Sequence, residues 1–108
     1  MSFDAFTTKE VMIGDEMFNL RKFKALDGLK VYQYILKSGL VTEDGINILA
    51  LEADMIMDIV CKGATKGSIT IDPKKFDTIF AGKINEIYEL VSKVLEFNFA
   101  DEKKDDSE

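Results

Sequence analysis

Chemistry near neutral pH needs groups that ionise or attack there, and this sequence is short of them. It contains no histidine, so the commonest general base and metal ligand is missing. Its one cysteine, Cys61, has no histidine to activate it and lies near the edge of an apolar helical arc, where it reads as a small packing residue. Carboxylates are plentiful, but Asp54 and Asp58 stack on one solvated helix face, and Asp101, Glu102, Asp105 and Asp106 crowd a polar end. Neither set has the central glycine and terminal glutamate of a calcium loop. Gly63-Ala-Thr-Lys-Gly-Ser68 has the glycines and lysine of a phosphate loop without the Gly-Lys-Ser/Thr order or a preceding strand, and it reads as a turn. Catalysis is therefore not expected, and neither is a metal or a cofactor.

The elements that would position any site must come from one core. A chain of 108 residues, 46% hydrophobic, suffices for one domain and not for two. The expected organisation is a single α+β domain over 1–99 and a disordered acidic tail over 100–108, where five acids and two lysines carry a charge of −3 and no large apolar group offsets the entropy of ordering. A net charge of −6 argues against nucleic acid as a partner, because phosphate binding needs concentrated Lys and Arg. Charges interrupt every apolar run well short of the ~20 residues that span a bilayer, so no membrane partner is expected. A lone cysteine and an opening Met-Ser-Phe-Asp without a secretory pattern predict a reducing cytoplasm.

Local signals divide the chain. Gly14-Asp15 between the β-like runs 9–13 and 16–23 predicts a type II′ hairpin. Leu29, Val31, Tyr32, Ile35 and Leu36 have helical spacing over 26–38 and Gly39 stands at the C-terminal cap position, predicting a helix packed on one face. A second helix is expected from Thr42 to Lys62 as the centre of the core. Glu52, inside its apolar arc, should pair with Arg21 or a lysine or reach water along its stem. A short strand at 68–71 would return to the hairpin, and Asp72-Pro73 predicts a short helix ending before Gly82. The last helix, about 83–98, has Ile84, Ile87, Tyr88, Val91, Val94 and Leu95 on one stripe. Leu90 and Phe97 widen it to roughly 180°, more than packing on one neighbour requires. That surplus makes Leu90 and Phe97 candidate partner-binding residues. Phe97 and Phe99 either cap the core or form part of a groove for an apolar helix, and Phe3 and Phe6 pose the same choice at the other end.

Two phrases extend this reading. Phe18-Asn19-Leu20-Arg21-Lys22-Phe23, a strand leading straight into a helix, and Val94-Leu-Glu-Phe-Asn-Phe99, a helix ending on aromatics, resemble the tail assembly chaperones of long-tailed bacteriophages over about residues 10–99. Some relatives follow the aromatic ending with Gly-Asp-Phe-Phe, where this chain has a polar tail. The resemblance implies a non-enzymatic protein of the host cell cytoplasm. It would bind the tape measure protein and help tail tube protein assemble around it, stay out of the finished virion, and often have a longer frameshifted form. Homo-oligomerisation stays open. The alternative is a structural minor tail or connector protein of a phage or prophage.

Overall fold

Residues 8–43 and 45–99 are described by a computed structural model. The acidic segment 100–108 and Phe3 and Phe6 lie outside them. The first element follows from one glycine. Gly14 has φ +64°, and no described residue other than glycine takes positive φ, which is the φ pattern of a II′ turn. It joins β1 (Thr8–Ile13) to β2 (Glu16–Arg21) as the expected antiparallel hairpin. Alternation then sorts the side chains: Ile13, Phe18 and Leu20 are buried, while Met12 and Met17, paired across the strands, face outward and are exposed.

α1 (Ala25–Lys37) ends as its glycine predicts. Gly39, at φ +68°, donates its N–H to the Leu36 carbonyl, and the Leu40 N–H reaches back to the Ile35 carbonyl, each at 3.2 Å. That pair of bonds is a Schellman motif, and the residues it brings together, Ile35 and Leu40, are both buried. The packed face is narrower than expected. Val31 and Ile35 are buried, whereas Leu29, Tyr32 and Leu36 are about half exposed.

The single helix expected from Thr42 to Lys62 does not form over its first half. Val41–Thr42 (β3) and Gly45–Ile46 (β4) make a small antiparallel ladder, one 3₁₀ turn spans Ile48–Ala50, and α2 is confined to Ala53–Gly63. Gly45 sits at φ +122°, far from right-handed helix. The Thr42 hydroxyl donates to the Gly45 carbonyl at 2.9 Å, across the turn between β3 and β4. Glu52 is thus the residue before α2, exposed, with its N–H donated to the Tyr34 hydroxyl at 3.3 Å. No carboxylate has to be buried there.

β5 (Ala64–Lys66) follows α2 with no linker and pairs with β2, while β6 (Ile69–Thr70) pairs with β5, giving an antiparallel sheet in the order β1-β2-β5-β6. The strand that returns to the hairpin is therefore β5, inside the segment expected to be a turn. The turn itself shrinks to Gly67 and Ser68, with Gly67 at φ +62°. α3 (Pro73–Ile79) begins as its sequence predicts, with the Asp72 carboxylate accepting the Lys75 N–H at 2.8 Å.

α4 (Ile84–Phe99) closes the core. It packs against β1 and β2 on one side and against α2 and the 3₁₀ turn on others. Leu90, Val91 and Val94 are fully enclosed with Ile59 and Val60 of α2. Each such side chain contributes about 1.5–3 kcal/mol by leaving water. Gly63 permits the close approach of the two helices, because a Cβ there would run into the Val94 side chain. The described residues form an α+β domain of four α-helices, a four-stranded antiparallel sheet and the two-stranded ladder. Among the described residues no helix is long and apolar enough to cross a membrane.

Candidate partner-binding site

The two phrases singled out in the sequence meet in space. Asn98, in the last turn of α4, lies against the stretch between β2 and α1. Its Oδ1 accepts the Phe23 N–H at 2.8 Å, and its Nδ2 donates to the Arg21 carbonyl at 3.2 Å and the Val94 carbonyl at 3.0 Å. Lys22 donates to the Phe97 carbonyl at 2.6 Å and places its Nζ 4.3 Å from the centroid of the Phe97 ring, a geometry favoured by the negative face of the ring. Arg21 turns the other way, donating from Nε to the Lys62 carbonyl at 3.2 Å and from Nη2 to the Cys61 carbonyl at 3.4 Å. It thereby satisfies carbonyls that the end of α2 leaves without helical partners. One hexapeptide thus ties the ends of two helices to the sheet.

Around this clasp the aromatic side chains form a partly open cluster. The Phe99 ring lies 5.9 Å from Phe23 and 5.7 Å from Tyr32, centroid to centroid, at tilted angles, within the range of favourable ring pairs. Phe97 and Phe99 are half-buried against the core, so they both cap it and leave an apolar rim. Leu90 does not join them. It is fully buried, because α4 is enclosed by the sheet on one side and α2 on another, and its wide apolar arc is consumed by two neighbours. In this fold it has no face to offer a partner.

The residues on the far side of Phe99 lie where their spacing does not place them. Leu29, Tyr32 and Leu36 recur at steps of three and four, which predicts the packed face of α1. The structure gives that role to Val31 and Ile35 and leaves Leu29, Tyr32 and Leu36 open.

Nothing comparable gathers for catalysis among the described residues. Among the described residues no three histidine, cysteine, aspartate or glutamate side chains converge on a cation position. A depression of about 230 Å³ beside the first turn is lined by Asp15, Glu16, Glu86 and Lys83 over Ile13, Phe18 and Phe80. Its Glu16 is engaged by Lys66 at 3.3 Å and by Lys83 at 3.4 Å. The hydrogen bond from Lys66, reinforced by Lys83, holds the Glu16 carboxyl below the usual range, which makes it a tie between β2, β5 and the start of α4 rather than a proton donor. Burial, with Asp58 and Asp72 nearby, pushes the Cys61 thiol up, away from thiolate chemistry.

Residues 44–103 match a family model described as phage tail assembly chaperone protein. The matched span includes the Val94–Phe99 phrase and leaves Phe18–Phe23 outside. No curated protein and no solved structure matches the chain. With more than half of its length matched, the chain belongs to the phage tail assembly chaperone family.

Proposed function

We propose, with that membership as premise, that the protein is a non-enzymatic chaperone that binds the tape measure protein reversibly and aids assembly of tail tube protein around it, in the cytoplasm of the host cell. The observation that carries this reading is the half-open aromatic rim at the end of α4. Phe97 and Phe99, flanked by Phe23 and Tyr32, leave apolar surface at the end of α4, whereas Phe18 and Phe80 stack at 5.6 Å inside the core. An apolar rim of this kind suits a partner helix that must be covered until the tube encloses it.

Co-expression with tape measure and tail tube proteins, capture of this chain at moderate salt and mass spectrometry of what is retained would test it. Recovery of tape measure protein is the expected result. Capture of this chain alone, with both partners present and soluble, would sink the reading. Its presence in purified virions would favour a structural component instead. Phe99→Ala should lower recovery of the partner several-fold with the fold retained, the urea midpoint falling only by what its ring contacts with Phe23 and Tyr32 supply.

A further inference from the structure

We infer that the groove between the β5–β6 corner of the sheet and α3 is a second docking site, and that it takes a short acidic segment of a partner protein, in which carboxylates flank a branched apolar side chain. The site is separate from the rim at Phe99 and does not depend on the chaperone reading.

Two local rules build the groove. Lys66 and Ile69 stand opposite one another across the β5–β6 ladder, and opposite residues of an antiparallel pair share a face. On α3, ~100° per residue gathers Lys74, Thr78, Lys75 and Ile79 within about 140°. These side chains line one open groove of about 490 Å³. β6 ends the strand order, and Ile69 is left 48% exposed. With 7 residues, α3 offers about 10 Å of wall, the length of about three residues of extended chain.

Charge selects the occupant. On a chain of net charge −6, this lining holds three lysines and no acid. Glu16 is shared between Lys66 at 3.3 Å and Lys83 at 3.4 Å, and Asp72, 3.6 Å from the Lys75 ammonium, also caps α3. Lys74 has no carboxylate partner among the described residues, and Asp77 falls about 60° beyond it, on the side away from the groove. Lysines thus outnumber the carboxylates that they share at this corner, beside the apolar Ile69 and Ile79. Carboxylates on an incoming segment are attracted there, and ammonium groups are repelled. The chain's own residues 100–108 match the charge but carry no large apolar group for the floor. They also follow Phe99, whereas the Lys83–Glu16 pair ties this corner to the start of α4, a helix of 16 residues and so about 24 Å away.

Three labelled pentapeptides, Glu-Glu-Leu-Glu-Glu, Glu-Glu-Ser-Glu-Glu and Lys-Lys-Leu-Lys-Lys, would be titrated against the full chain by fluorescence anisotropy. The first should bind, the second several-fold more weakly and the third not at all. Lys74→Glu with Lys75→Glu should weaken the first about tenfold with the fold retained, because acids suit the first turn of a helix. Ile69→Ser should erase the advantage of leucine over serine, and Phe99→Ala should change nothing. Failure of the first peptide to bind, equal binding of the first and third, or indifference to the charge reversal would each overturn the proposal. Tighter binding of a single-stranded oligonucleotide than of the acidic peptide would do the same. Asp101→Asn with Asp105→Asn and Asp106→Asn should leave the affinity unchanged; a tenfold gain would assign the groove to the chain's own acidic segment and overturn the partner.

Discussion

Removing the Asn98 amide tests how much one side chain holds. Asn98→Ala leaves the Phe23 N–H and the Arg21 carbonyl without the partners they have at 2.8 and 3.2 Å. A loss of about 2 kcal/mol is expected in urea denaturation, since unsatisfied partly buried groups cost about 1–3 kcal/mol. Asn98→Asp is no rescue, because it keeps the acceptor for Phe23 but turns an oxygen toward the Arg21 and Val94 carbonyls. At Gly63 the expected cost comes from space instead: a methyl group there overlaps Val94 and crowds Phe23, so Gly63→Ala should destabilise by about 1–3 kcal/mol. Leu90→Asp should unfold the domain outright, because the charge would enter a fully enclosed position. Circular dichroism would separate that result from the retained fold expected of Phe99→Ala. Leu90 and Phe99 were proposed from sequence for one surface, and they belong to different environments. Whether an apolar helical arc is surplus depends on how many neighbours the helix has, and that number is set by the topology and not by the helix.

The same limit operates at the level of elements. Where the backbone demands something locally, the sequence announces it: Gly14 in the hairpin, Gly39 after α1, Asp72-Pro73 before α3. Gly39→Ala should accordingly cost about 1–2 kcal/mol, the penalty of holding a Cβ in the left-handed region, and Asp72→Ala about 1 kcal/mol through loss of the cap; chemical denaturation would read both. Between Thr42 and Glu52 the chain departs from the single helix that its apolar spacing predicts. Ile46, Ile48 and Leu51 pack on or within the core from a ladder, a 3₁₀ turn and an extended residue, so they mimic a helical period that the backbone does not follow. Gly45 was the contrary signal, and the apolar pattern outweighed it. The candidate site was legible in part: both phrases were found, along with Phe97 and Phe99. Their meeting through Asn98 was not, because bonds between positions 75 and 77 apart leave no trace in local spacing. The α1 row was seen but placed inward, since a 13-residue helix with two apolar rows does not say which row the rest of the chain will cover.

For the whole molecule, acid should act through Glu16, which links β2 to Lys66 of β5 and to Lys83 beside α4. Its carboxyl is depressed in the fold, so the folded state holds a proton there less readily than the unfolded chain. The stability it contributes is complete above the ordinary carboxylate value of 4.5 and is lost as pH falls through the lower folded value. Thermal melts between about pH 6 and about pH 2 should show Glu16→Gln with a flatter acid limb than the parent protein. A parallel limb would place the acid sensitivity elsewhere. The Asn98 clasp has a consequence in time as well as in energy. Local turns close before distant contacts do, and α4 is the last described element to be made. During synthesis the stretch after the hairpin therefore waits for Asn98 while some 75 residues are added. The clasp thus cannot form until the final turn of α4 has been made, however quickly the opening strands have paired.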